Sequence, residues 1–230
     1  MTEKLYENNS YIKEFTATVK SCEQDGEVYN VILDKTAFAP EGGGQKADVG
    51  FIDEVAVIDV VEKGDEIIHK VEREINNREV FCRVDFEKRF EKMQNHTGEH
   101  IVSGVIKREF GFNNVGFHLG EEVVTLDVDG VLTANDVAKI ERESNLAVYE
   151  NKRVNVSYPT LEVQESLDFR SKISCRQGLR LVEIEDTDLC ACCAPHVSTT
   201  GQVGNIKILS FSTHRGGTRL IMVCGEYAIR

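Results

Sequence analysis

In the stretch NHTGEH, residues 95–100, two histidines stand four positions apart. On an α-helix that spacing puts both rings on one face, with Cβ atoms about 5–6 Å apart. Two imidazoles so placed can converge on one ion through bonds of roughly 2 Å. Alone, the pair reads more readily as two polar helix residues, because the spacing often arises by accident. A second four-spaced pair changes the balance: DLCACCAPHVST, residues 188–199, carries Cys192 and His196 as C-x-x-x-H in a loop after a strand. Three nitrogens and one sulfur favour Zn2+ over calcium or magnesium. Spacing does not choose among the thiols, because Cys190 and Cys193 also lie near His196. Four protein ligands would close a structural site, whereas a catalytic site keeps one position open; a loosely bound His196 or a five-coordinate ion would reconcile the two.

Three further side chains are candidates for the chemistry. Thr97, between the helix histidines, is read as a hydrogen-bond partner for a substrate hydroxyl or as a residue of the helix's apolar stripe. Glu99 is read as a base taking a proton from water, or, more simply, as a solvated helix carboxylate. His118 is either a substrate contact or a surface-turn histidine. Residues 96–100 also fit the inverted zinc-peptidase pattern H-x-x-E-H with Glu99 as base, but that chemistry expects a downstream carboxylate as third ligand. A non-catalytic zinc-stapled module is the remaining alternative.

These residues need elements to hold them. Residues 1–84 carry short β-branched segments, FTATVKSC, EVYNVILD, EVAVIDVV, EIIHKV and REVFCRVD, separated by turn material. That predicts a small barrel or sandwich. At Asp85 the period changes: Phe86, Phe90, Met93, Thr97, Ile101 and Val105 recur at helical spacing. Asp85 is the expected N-cap and Gly111 the stop. His96 and His100 then flank the buried stripe, half-sheltered. Gly98 weakens the helix by about 1 kcal/mol relative to Ala, which points to a close approach by substrate, backbone or packing. A strand at EVVTLDV, a helix capped by Thr133, strands at RVNVSY and LRLVEIE, and a closing hairpin through HRGG complete residues 85–230 as an α+β domain.

Composition narrows the setting. With 41% hydrophobic and 29% charged residues, a packed core is expected and wholesale disorder is not. No apolar run approaches a membrane span, and MTEKLYENNSYIKEF lacks a signal-peptide pattern. Seven cysteines, three within four positions, read as ligands or reactive thiols in a reducing compartment, so a cytoplasmic protein is expected. A net charge of −12 argues against a general coater of DNA or RNA but leaves room for a local basic patch. Lys88, Arg89, Lys92, Arg215 and Arg219 are the candidates for phosphate contacts.

HTGEH followed later by CCAPH resembles the editing domain of alanyl-tRNA synthetase and its free-standing relatives, the AlaX-type trans-editing proteins. TAFAPEGGGQKADVG is similar to the glycine-rich stretch preceding that domain in the larger relatives, and the likeness runs from about Phe15 to Tyr227. The resemblance implies a small N-terminal β-barrel-like domain followed by an α/β two-layer editing domain, of a kind shared with threonyl-tRNA synthetase. It implies His96, His100, Cys192 and His196 as the zinc residues. It further implies hydrolysis, in trans, of tRNA(Ala) mischarged with serine, or with glycine, bound by its acceptor end. A monomer or weak homodimer is expected. Two features depart from the family pattern: its usual C-G-G-T-H loop is Cys192-Cys193-Ala194-Pro195-His196 here, and Gly116, Phe117 and His118 stand where a glutamine faces the substrate. The glycine-rich stretch matches neither G-x-x-x-x-G-K-[ST] nor G-x-G-x-x-G. ATP is therefore not expected; the stretch reads as a tight turn or, by resemblance, as a loop over the editing site. No segment is large enough for an aminoacylation core in addition.

Overall fold

The computed structural model describes residues 1–171 and 173–229. The chain is a mixed α/β protein, rich in strands, whose contacts divide it into two compact units, Met1–Phe90 and Glu91–Arg230. The first contains β1 (Glu3–Lys4), α1 (Leu5–Asn8), β2 (Glu14–Asp25), β3 (Val28–Leu33), β4 (Lys35–Thr36), β5 (Gly50–Ile52), β6 (Val55–Lys63), β7 (Glu66–Val71) and β8 (Glu79–Val84). Six of these strands close on one another in the order β2-β3-β7-β6-β5-β8. Strict alternation drives the closure: in β8, Val80, Cys82 and Val84 turn inward while Glu79, Phe81 and Arg83 face out. Val31, Leu33, Phe38, Ile52, Val60 and Ile67 fill the interior. The three-residue β5 is too short to announce itself in sequence.

The glycine-rich stretch is a tied loop. Gly42 and Gln45 exchange backbone hydrogen bonds of 3.1 and 3.0 Å across Gly43 (φ 60°) and Gly44 (φ 80°), a turn with positive φ at both central residues, which glycine adopts without penalty. Ala39 and Asp48 close its base, the Ala39 N–H donating to Asp48 Oδ2 at 2.7 Å. Asp48 also receives the guanidinium of Arg89, whose remaining donors go to the carbonyls of Ser10 (3.0 Å) and Ala37 (2.6 Å). Arg89 is therefore fully buried and is not available to a phosphate, against expectation: every arm of its fork is used inside the fold.

The second unit is organised around the part of α2 (Phe86–Phe110) that runs from Glu91 onward. Asp85 caps the helix, Oδ1 accepting from the Lys88 N–H at 3.3 Å, and Gly111 ends it at φ 74°. Beyond it lie β9 (Asn114–Leu119), β10 (Val124–Val128), α3 (Ala134–Tyr149), β11 (Val154–Ser157), α4 (Leu161–Ser166), β12 (Leu181–Ile184), β13 (Asp188–Ala191), β14 (Ile206–His214) and β15 (Gly217–Cys224). An antiparallel sheet runs β14-β15-β10-β9, and a smaller one β11-β12-β13. Thr133 and Asp136 form a capping box on α3, as the sequence suggests.

α2 departs from the expected single stripe, since residues 95–106 are buried on every side. Two glycines make this possible. A Cβ on Gly98 would lie 2.2 Å from Cys224 Sγ, and one on Gly104 would lie 2.2 Å from the Thr187 carbonyl oxygen. The open position at Gly98 thus accommodates packing against β15, and the one at Gly104 admits the backbone of the β12–β13 turn.

Candidate metal centre

Ligand atoms of His96, His100, Cys192 and His196 all lie within 4.8 Å of one another. α2 supplies the first two from successive turns; the segment after β13 supplies the others. Cys192 Sγ is 3.5 Å from His96 Nε2 and 3.3 Å from His196 Nε2. Far from being half-sheltered, His96 and His100 are each 2% exposed and His196 is 4% exposed, because α2 is enclosed. Arg180 holds the cysteine loop, its guanidinium donating to the carbonyls of Cys192 (2.7 Å) and Ala194 (3.0 Å); no spacing rule pointed to it.

Electrostatics separates the thiols. Burial would push Cys192 up, yet His96 and His196 beside it, with hydrogen bonds from His100 and His196, hold it well below the usual thiol range. Burial pushes Cys190 up to about 11, so it stays a neutral thiol near pH 7. Cys193 is exposed. The sulfur that joins the three imidazoles is thus also the one favoured as thiolate, the form that binds metal.

Each of two rings in the cluster has a neighbour behind it. His196 Nδ1 is 3.0 Å from Thr97 Oγ1, which also accepts the Val197 N–H at 3.3 Å. When Nδ1–H is the donor, Nε2 keeps its lone pair for the cluster and Thr97 retains only its own hydroxyl proton to offer. Burial dominates at His196 and pushes its pKa down to about 3. His100 Nδ1 has no well-aligned hydrogen-bond partner but stands 3.0 Å from Asp188 Oδ2. Burial disfavours the charged ring there, but Asp188 and Cys192 outweigh it and raise His100 well above the usual range.

Glu99 is buried, not a solvated helix carboxylate. Its Oε1 accepts from the Ser103 hydroxyl and from Asn114 Nδ2 at 2.7 Å, while Oε2 stands 3.9 Å from His100 Nε2. Asn114 reaches it because β9 bulges: the register with β10 shifts between Asp127 and Val128, which pair with Gly116 and Asn114. The extra residue, Val115, restores the phase so that Asn114 and Phe117 both face α2. Phe117, not His118, packs on the cluster, its ring 4.8 Å from that of His96. His118 is exposed and lies outside the converging group, because adjacent strand residues face opposite ways.

A family model described as the threonyl and alanyl tRNA synthetase second additional domain matches residues 179–221, the stretch holding Cys192 and His196. A second, described as tRNA synthetases class II (A), matches residues 3–88, which include the barrel strands. The alanyl-tRNA editing protein AlaX-L of Pyrococcus horikoshii is 32% identical over 240 residues, covering 100% of this chain and 59% of the relative. Over its whole length the chain is similar both to alanine–tRNA ligases and to alanyl-tRNA editing proteins. Alanine–tRNA ligase of Pyrococcus furiosus is 37% identical over 245 residues, 100% of this chain and 26% of that protein. Alanyl-tRNA editing protein Aarsd1 of Bos taurus is 33% identical over 97% of the chain and 55% of its own length. The chain spans between 26% and 59% of the length of these relatives.

Proposed function

We propose that the chain is a zinc-dependent aminoacyl-tRNA hydrolase that removes serine, or glycine, from mischarged tRNA(Ala) in trans. The convergence of His96, His100, Cys192 and His196 in one buried cluster carries this reading; relatives named as alanyl-tRNA editing proteins support it. The donor set fits zinc: three imidazoles and a thiol held towards its thiolate form suit that ion better than an oxygen-seeking one. When bound there, zinc supplies Lewis-acid polarisation of the ester carbonyl and lowers the pKa of water towards ~7.

The chain's own residues do the rest. Glu99, with Oε1 anchored by Ser103 and Asn114, is the carboxylate assigned to take the proton from the attacking water. Thr97 orients His196 and has one donor left for a substrate hydroxyl. Alanine lacks that hydroxyl, so discrimination of about ten- to a hundredfold is expected from one unmade hydrogen bond. His118, on the exposed side of β9, is assigned a tRNA contact at most. We assign the chemistry to residues 85–230 and a supporting β-barrel-like domain with the glycine-rich loop to residues 1–84. A cytoplasmic site of action fits a tRNA substrate.

The peptidase reading is weaker. It wants a carboxylate as third ligand, whereas the atoms that join His96 and His100 are a sulfur and an imidazole, and Asp188 stands behind His100 at Nδ1. Deacylation of seryl-, glycyl- and alanyl-tRNA(Ala) by purified protein, with and without chelator, tests the proposal. Chelator-sensitive hydrolysis that is fastest for seryl-tRNA is expected. Peptide cleavage, or tRNA binding without hydrolysis in the zinc-loaded protein, would overturn it.

A further inference from the structure

His100, Asp188 and Cys190 form a second group whose ligand atoms lie within 4.8 Å of one another. It has the composition of another metal site, but its charges speak against one. Both carboxylate oxygens of Asp188 are taken by Arg170, Nε donating to Oδ1 and Nη2 to Oδ2, each at 2.7 Å. A guanidinium already supplies the counter-charge, and a second cation would sit beside it.

We infer that this group is a clamp: Asp188, locked by Arg170, is the positioning residue that fixes the ring of His100 and thereby sets the metal affinity of the cluster. The inference rests on the metal-centre reading above. A metal-binding histidine is oriented by what its other nitrogen meets, and a carboxylate there also strengthens it as a donor. His100 Nδ1 meets Asp188 Oδ2 at 3.0 Å, which leaves Nε2 to the cluster. Asp188 itself has no rotational freedom to spare, because the two parallel bonds of the fork define its plane.

The fold builds the clamp from three separate stretches. Arg170 is stitched alongside β13 by its backbone, its N–H donating to the Leu189 carbonyl (2.8 Å) and its carbonyl accepting from Ala191 (2.9 Å). That fixes the root of the side chain beside Asp188, the first residue of β13. The third stretch is α2. Gly104 lies one turn beyond His100 on the same face, and the absence of its side chain admits the turn at Thr187 and Asp188 against the helix.

Zinc affinity by chelator competition, together with the visible spectrum of the Co2+-substituted protein, tests the inference. Asp188→Asn preserves volume and is expected to weaken metal binding about 10- to 100-fold and to shift the Co2+ bands, which report ligand geometry rather than folding. Arg170→Lys retains the charge but loses the fork; a smaller weakening and a shift in the same direction are expected. The double variant Asp188→Asn/Arg170→Gln removes the stranded guanidinium and is expected to stay weak. Recovery of wild-type affinity in the double variant would mean that charge balance, not ring orientation, is at work, and would overturn the inference. So would unchanged affinity and spectra in both Asp188→Asn and Arg170→Lys while the wild type binds zinc. A wild-type chain that binds no metal overturns this inference and the metal-centre reading together.

Discussion

At the scale of single residues, His69 shows how position dictates protonation. Its ring is fully buried in the first unit, with Nδ1 3.0 Å from the Val31 carbonyl and Nε2 2.8 Å from Thr36 Oγ1. Burial pushes its pKa down to about 4, only partly opposed by the Val31 bond. The unfolded chain therefore binds the proton more readily, near pH 6.5. Stability is fully present above that value and drains away as pH falls towards 4. Urea titrations at pH 7 and pH 5 are expected to differ by about 2 kcal/mol from this residue, a difference that disappears in His69→Gln. Glu99→Gln tests a different function of burial: zinc content should persist while deacylation falls by about 10²-fold or more. Full activity in that variant would remove Glu99 from the chemistry. The two metal-spaced pairs were legible because helical and loop spacings of His and Cys carry their own geometry. Asp188 and Arg170 were not, since they are eighteen positions apart and meet only after a strand and a turn are built.

The helices and strands were legible according to length. The 25 residues of α2 imposed a clear period, whereas the three residues of β5 and the four of β13 did not; the latter's run of cysteines read as loop. Periodicity also under-described α2, because a stripe identifies one buried face and says nothing of glycines that open the others. Gly98 gives a measurable case. Ala there would gain about 1 kcal/mol of helix propensity, but its Cβ would meet Cys224 Sγ at 2.2 Å. Gly98→Ala is expected to destabilise the protein by about 1–3 kcal/mol, the usual cost of overpacking. Adding Cys224→Ala removes the colliding sulfur, so the double variant should be at least as stable as Cys224→Ala alone in thermal denaturation. Equal destabilisation with and without the sulfur would point to the helix backbone instead.

For the molecule as a whole, charge and edges matter most. If the chain holds tRNA as proposed, its net charge of −12 confines the contacts to a local patch, so binding should be weak and salt-sensitive. Arg89 is committed to Asp48, and Arg219 makes a fork with Asp127 at 2.6 and 2.7 Å. Replacing Arg89 should therefore leave the salt slope unchanged while costing about 3–5 kcal/mol of stability, as breaking a buried ion pair does; a slope reduced by about 0.7–0.9 would mean that it reaches a phosphate after all. The larger sheet of the second unit ends at β14 on one side and β9 on the other. Side chains of α3 occupy the β14 edge, Asn145 bonding both the N–H and the carbonyl of Ile206 at 2.9 and 2.8 Å, and Glu141 the N–H of Ile208 at 2.7 Å. At the β9 edge the local irregularity is the bulge at Val115, which keeps the rim twisted and a poor template for another strand. The residue that aims Asn114 at Glu99 is thus also a guard against self-association. Deleting Val115 should straighten the rim, and sedimentation velocity should then show stronger concentration-dependent association than the intact chain shows.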